Sequence, residues 1–247
     1  MQPSRETLRT PLLIALLILA ATLATAALGG CAALNGSGRP AGTASREAST
    51  PPSVEQLAPT QVKEFHGKRL DSIASLHENS IKGPQYVDAN TYRLTVDGLV
   101  SHPRKFTYAE VLTGFKHYER VVQLDCVEGW SAKILWEGPL VNDIIATAAP
   151  TAFAKTVIFH AADGYSTSFP LSYFDKNQRI LAYKMNGQLL APERGFPFML
   201  VAEDKWGYKW CKWITRIELS ADANYRGYWE QRGYSIDGSR TKPFTGP

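Results

Sequence analysis

The chain has little with which to build a metal site on its own. Its 247 residues include three cysteines, at 31, 126 and 211, and five histidines, at 66, 77, 102, 117 and 160. There is no C-x-x-C, no C-x-x-C-H and no H-E-x-x-H. A zinc site made of protein ligands and a covalently attached haem are therefore not expected. The histidines are too scattered to mark a cysteine–histidine dyad. Long runs of like charge are also missing: 27 Lys and Arg against 23 Asp and Glu leave a net charge of +4. That excess is too small and too dispersed for a nucleic-acid binder. There is no internal repeat. With 44% hydrophobic and 20% charged residues, the composition is that of an ordinary globular protein.

The N-terminus reads as a targeting segment, residues 1–30. Arg5 and Arg9 precede an apolar run over 11–28, which ends in Leu28-Gly29-Gly30-Cys31. Small residues before a cysteine resemble a bacterial lipoprotein signal, in which Cys31 is lipidated and becomes the mature N-terminus. The alternative is an uncleaved anchor, since the run is long enough to span a bilayer. Either way the arginines place the rest of the chain on the exported, periplasmic side, tethered to the membrane through its N-terminus. No twin-arginine pair is present. Residues 31–60 are dominated by Gly, Ser, Thr, Ala and Pro and read as a flexible tether.

Residues 61–247 read as one domain of short elements. Tyr92, Leu94 and Val96 alternate as in a strand. Thr107-Tyr-Ala-Glu110 is a capping box opening a short helix to about Gly114. Strands are expected over 121–124, 156–160 and 198–201, and a helix over 140–148. A hairpin is expected over 181–190 around Asn186-Gly187. From Lys212 to Leu219 the pattern places Trp213, Thr215, Ile217 and Leu219 on one face. Tyr225, Tyr228, Trp229 and Tyr234 suggest an extended C-terminal segment that buries its rings. Short strands with brief helices between them give an α+β fold with mixed sheets.

Four stretches carry candidate chemistry. Cys126, in Leu124-Asp-Cys-Val-Glu-Gly-Trp130, is either a small buried hydrophobe at a strand end or a soft-metal ligand or nucleophile. Its pairing with Cys211 in a disulfide stays open. Lys205-Trp-Gly-Tyr-Lys-Trp-Cys-Lys-Trp213 is a basic amphipathic helix, an aromatic packing segment, or a loop whose Gly207 lets backbone approach an anion beside Lys209. Glu193-Arg-Gly-Phe-Pro197 is a turn in which Arg194 can bind phosphate or carboxylate, or simply face solvent. His160 to Thr167 is a loop after a strand, a common place for function and equally for a plain Asp-Gly turn.

In this order the segments Thr95-Val-Asp-Gly-Leu-Val100, Leu124 to Ser131, Gly195-Phe-Pro197 and Lys205-Trp-Gly-Tyr-Lys209 resemble the sulfite-oxidase-like family of molybdopterin-dependent oxidoreductases. The Cys-Val-Glu-Gly-Trp box is the specific part. The pattern is most like the small bacterial members with a catalytic domain alone, among them the periplasmic methionine-sulfoxide reductase catalytic subunit. The resemblance implies a molybdopterin-binding domain and a molybdenum-molybdopterin cofactor. It implies Cys126 as the protein ligand to molybdenum, and Gly207, Tyr208 and Lys209 at the pterin phosphate. Asn79 matches a cofactor-contacting asparagine, and His160 falls in a loop expected at the pocket. Departures are Arg194 where the family often has Asn or His, Met199 where it often has Arg, and Ala161 near a family threonine. Phosphate binding is accordingly expected to shift to Arg194.

The implied activity is oxygen-atom transfer to or from a small-molecule substrate. Sulfoxide reduction is favoured over sulfite oxidation, because Met199 removes a cation. The resemblance also implies a separate electron-transfer partner, a cytochrome or a membrane haem protein. The alternative is a non-catalytic binding lipoprotein on the same fold. Mass spectrometry of the chain from a bacterial envelope tests the N-terminal reading. A lipoprotein loses residues 1–30 and carries diacylglycerol on Cys31; an intact, unlipidated Met1 overturns that.

Overall fold

The computed structural model describes residues 51–175 and 178–246. In chain order its strands are β1 (Glu64–Phe65), β2 (Lys68–Arg69), β3 (Arg93–Gly98), β4 (Arg104–Thr107), β5 (His117–Asp125), β6 (Ser131–Pro139) and β7 (Thr156–Ala161). They continue as β8 (Ser166–Pro170), β9 (Leu181–Ala182), β10 (Lys184–Met185), β11 (Gln188–Leu189), β12 (Met199–Leu200) and β13 (Ile214–Ser220). Four short α-helices join them: α1 (Val54–Leu57), α2 (Tyr108–Gly114), α3 (Val141–Ala146) and α4 (Ser172–Asp175).

The alternation at Tyr92, Leu94 and Val96 has its physical outcome in β3 and the residue before it, where all three side chains are buried. β3 lies inside a five-stranded sheet of order β4-β3-β13-β7-β8. It runs parallel to β13 and antiparallel to β4, so the sheet is mixed. A second sheet has the order β11-β10-β6-β5. With its few short helices the fold is α+β. Thr107 caps α2: its hydroxyl accepts from the Glu110 N–H, and Glu110 accepts from the Thr107 N–H. Asn186 and Gly187 both take positive φ at the β10–β11 turn. Asn186 is also buried, accepting from the Leu135 N–H and donating to the Asp71 carbonyl.

Three expectations are corrected. Residues 53–60, grouped by composition with the tether, form α1 and a following 3₁₀ turn, with Val54 buried in the core. The apolar run and Cys31 lie outside the described residues. The strand expected from Lys212 starts at Ile214, because Trp213 has φ +50° and the register against β7 shifts between Ile214 and Arg216. That bulge turns Ile214 into the core and leaves Thr215 half-buried, after which Ile217 and Leu219 resume the inward phase. Finally, the rings of Tyr225, Tyr228, Trp229 and Tyr234 are only half-buried. The side chain that goes deepest in the C-terminal segment is a carboxylate, Glu230, which is fully buried.

Glu230 is buried because Lys209 is. The Lys209 Nζ lies 2.6 Å from Glu230 Oε1 and donates to the carbonyls of Ser168 and Ile236 at 2.7 and 3.0 Å. The Thr167 hydroxyl also donates to Glu230 Oε1. Three segments distant in sequence thus meet at one ion pair. Burial lowers the pKa of Lys209, and the Glu230 charge opposes that shift. Removing one partner leaves the other charged and dry. Lys209→Met is expected to cost about 3–5 kcal/mol of unfolding free energy, and Lys209→Met/Glu230→Gln less than the single change. Urea unfolding of the two variants checks both statements.

Candidate functional site

β5 and β6 form a long hairpin, in register from His117↔Pro139 to Asp125↔Ser131. Its turn is Cys126–Trp130, closed by Cys126 N–H donating to the Trp130 carbonyl, with Gly129 at φ +90°. Cys126 therefore sits at the tip of the hairpin, and its thiol opens into a cavity of about 360 Å³. The hairpin partner β6 was not foreseen, because Ile134, Leu135 and Trp136 are buried in succession and show no alternation.

Around the thiol the polar groups are arranged by Glu128. Its Oε2 accepts from Asn79 Nδ2 at 2.9 Å and from Trp130 Nε1 at 3.0 Å. The same Asn79 amide lies 3.7 Å from Cys126 Sγ. These donors lower the pKa of Glu128. Burial, aided by the Glu128 charge, raises that of Cys126, against the lowering effect of the Glu128 and Val127 N–H groups and Asn79. The thiol of the protein alone is thus neutral at pH 7, which is wrong for a resting nucleophile. A cation that displaces the proton makes it a thiolate ligand.

Behind the hairpin tip runs Trp206–Trp210. Asp125 forms a parallel bridge with Trp206. A Cβ on Gly207 would stand 3.3 Å from the Asp125 carbonyl and 3.4 Å from Cys126 Cα, so this glycine sets how closely the two segments approach. Tyr208 lines the cavity, and its hydroxyl donates to the Ser235 carbonyl. Its own carbonyl accepts from the Tyr165 hydroxyl.

Arg194 lines the cavity from the 3₁₀ turn Pro192–Arg194, which Gly195 ends at φ +101°. It donates to the carbonyls of Ile73 and Leu76 and has no carboxylate bridge among the described residues. Burial lowers its pKa. A second cation, Lys212, also lines the cavity, 2.8 Å from Glu78 Oε1 and over the Trp213 ring. Sequence reading missed Lys212. Its signal was present in the Lys-x-x-Lys spacing, but the 3₁₀ turn at Gly207–Lys209 followed by extended backbone sends Lys209 and Lys212 to different surroundings.

The cavity therefore brings together Cys126, Asn79, Arg194, Gly207 and Tyr208. Two expected residues stand elsewhere. Lys209 is held by Glu230 and two carbonyls and does not line the cavity. His160 lies on the other side of β7, with Nε2 2.8 Å from Glu218 Oε2 and 3.3 Å from Arg216. Residues alternate along a strand, so the inward neighbours Phe159 and Ala161 exclude His160 from the core side. The loop after β7 still reaches the cavity through Asp163 and Tyr165.

The residues present suit a pterin-bound metal. One soft sulfur is available, while no three His, Cys, Asp or Glu side chains group as metal ligands among the described residues. Arg194 and Lys212 supply positive charge for a phosphate. Ser80 Oγ and Glu193 Oε2, both in the lining, are buried without a hydrogen-bond partner among the described residues. Trp130, Trp136, Trp210 and Trp213 give flat apolar walls.

Comparison with known proteins agrees. The profile of the oxidoreductase molybdopterin binding domain matches residues 81–229. The oxidoreductase YuiH of Bacillus subtilis is 36% identical over 168 residues, 68% of this chain and 83% of that protein. A provisionally named protein-methionine-sulfoxide reductase subunit, YedZ1 of Azospira oryzae, is 36% identical over 149 residues, 60% of this chain and 56% of that protein. Among solved structures, the sulfane dehydrogenase SoxCD of Paracoccus pantotrophus shares the fold, with a TM-score of 0.57 at 21% identity, covering 74% of this chain and 56% of that one. The chain belongs to the oxidoreductase molybdopterin binding domain family, and is an oxidoreductase whose cofactor is molybdenum-molybdopterin.

Proposed function

We propose that this chain is an exported oxidoreductase that reduces a neutral sulfoxide-type substrate, with Cys126 as the protein ligand to molybdenum. The observation that carries the substrate class is the charge of the cavity lining. Its cations are Arg194 and Lys212, both suited to the cofactor's phosphate. The carboxyl side chains in the lining are Glu128, Asp163 and Glu193, and Met199 stands where a further cation would favour sulfite. Beyond those two cations a dianion meets three carboxylates and no further lysine or arginine in the lining, whereas a sulfoxide needs one hydrogen-bond donor and apolar surface. The YedZ1 relative's name points the same way.

When bound, the molybdenum supplies a two-electron redox couple. The chain's own residues hold and shield it. Cys126 offers the sulfur, Asn79 places an N–H beside it, and Gly207 and Tyr208 carry the backbone that supports the hairpin tip. Arg194, as expected from the sequence, takes the phosphate together with Lys212, which replaces Lys209 in that role. The tryptophan walls keep bulk water from the reacting centre. Sulfoxide reduction consumes two electrons and two protons and yields sulfide and water. The electrons come from a separate partner, a cytochrome or membrane haem protein, and a lipid on Cys31 or an N-terminal anchor keeps the domain at the membrane.

Purification from a molybdenum-replete host tests this. About one molybdenum and one pterin per wild-type chain are expected, with a changed electron paramagnetic resonance spectrum of the one-electron-reduced metal in Cys126→Ser. With a reduced dye as donor, kcat/KM for methionine sulfoxide should exceed that for sulfite with ferricyanide by about 100-fold or more. The opposite preference overturns the substrate reading. Arg194→Ala should lower the pterin content; full pterin occupancy in that variant removes Arg194 from phosphate binding.

A further inference from the structure

The family match ends at residue 229, yet the chain continues as an ordered strap through Gly246. Tyr234 of this strap lines the cavity beside Trp229. The strap is bound along its length to the segment that backs Cys126. The Trp206 N–H donates to the Gly238 carbonyl at 2.8 Å, and the Trp206 indole N–H to the Lys242 carbonyl at 3.0 Å. Lys205 pairs with Asp237 at 2.6 Å, and the Arg240 N–H donates to the Asp204 carbonyl. The strap also closes on itself: Ser235 N–H donates to the Phe244 carbonyl, and Gly246 N–H to that of Gly233.

One contact reaches the hairpin tip directly. The Arg240 guanidinium pairs with Asp125 Oδ2, the residue before Cys126. The other oxygen of Asp125 accepts from Gln123 at 2.6 Å. Asp125 is thus held by the hairpin, by Trp206 and by the strap, and the strap also holds Trp206. Gly238 permits this close seating: at φ +62°, a Cβ there would lie 2.5 Å from Lys209 Cγ.

We propose that residues 230–246 position the active site of this oxidoreductase, with Arg240 acting through Asp125 to fix the orientation of the Cys126 sulfur. Arg240 is a positioning residue, since nothing places it against the cofactor. The proposal rests on Cys126 being the metal ligand.

The experiment uses the full-length holoprotein and three variants, Arg240→Ala, Arg240→Lys and Cys126→Ser. Two quantities are read: the rate at which molybdenum is lost on dialysis, and the electron paramagnetic resonance spectrum of the one-electron-reduced metal. Arg240→Ala should lose molybdenum about ten times faster than wild type and show shifted g-values, at a melting temperature close to wild type. Arg240→Lys, which keeps the charge, should fall between the two. Gly238→Ala, which lifts the strap without touching Arg240 or Asp125, should move both readouts in the same direction. If Arg240→Ala and Gly238→Ala match wild type in both while Cys126→Ser changes the spectrum, the strap proposal falls and the ligand stands. If Cys126→Ser leaves the electron paramagnetic resonance spectrum unchanged, both fall.

Discussion

The buried pair of Lys209 and Glu230 is the constraint on which the site's architecture depends. Both side chains are fully shielded from water. An ammonium and a carboxylate tolerate such burial through their mutual charge and the hydrogen bonds gathered around them, here on the ammonium and on Glu230 Oε1, while Glu230 Oε2 has no hydrogen-bond partner among the described residues. Those bonds recruit the Ser168 carbonyl and Thr167 hydroxyl of β8 and the Ile236 carbonyl of the strap. Displacing any of these groups removes a hydrogen bond from a buried charge. The pair therefore fixes the edge strand of the five-stranded sheet, the turn at Gly207–Lys209 and the C-terminal strap relative to one another. Lys209 and Glu230 themselves do not line the cavity.

That division of labour appears again in the two lysines three residues apart. Lys209 has been drawn inside as a structural cation, with its pKa pushed down by burial against the pull of Glu230. Lys212 has its ammonium at the cavity, paired with Glu78 and resting over Trp213. Nothing in residue type separates them. What separates them is backbone: a 3₁₀ turn ends after Lys209, and Trp213 takes a left-handed conformation before the bulge at Ile214. Helical or strand periodicity assigned across this stretch is bound to misplace one of the two, because the stretch has neither period.

The same physics governs what could be read from the amino acids. Features set by neighbours in the chain were legible: the Thr107–Glu110 capping box, the Asn186-Gly187 turn, and the alternation at Leu94 and Val96. So was the hairpin-tip cysteine, because its Cys-Val-Glu-Gly-Trp box is local and distinctive. Features set by distant partners were not. β6 alternates only over Ser131–Ile134 and is then covered on both faces through Trp136, so the alternation is too short to mark it. His160 belongs to a charged group with Arg216, Glu218 and Asp97 on the outer face of the sheet, a placement decided by β3 and β13 rather than by its own loop. The strap reads as aromatic wrapping until its buried carboxylate is seen to have a partner in another segment.

A cavity of this kind leaves the protein with a narrow task. A cofactor that brings its own sulfur ligands needs one more sulfur, charge for a phosphate, and exclusion of water. Cys126 held neutral by burial is suited to receiving a metal, since coordination removes the proton and the resulting thiolate is stabilised by the Asn79 N–H nearby. Glu128 contributes by holding Asn79 and Trp130 in place, while its negative charge beside the sulfur repels a competing anion. The surroundings of the sulfur thus support the proposed preference for a neutral substrate: carboxylates and aromatic walls disfavour an anion, and the lysine and arginine of the lining, Lys212 and Arg194, are those proposed for the cofactor's phosphate.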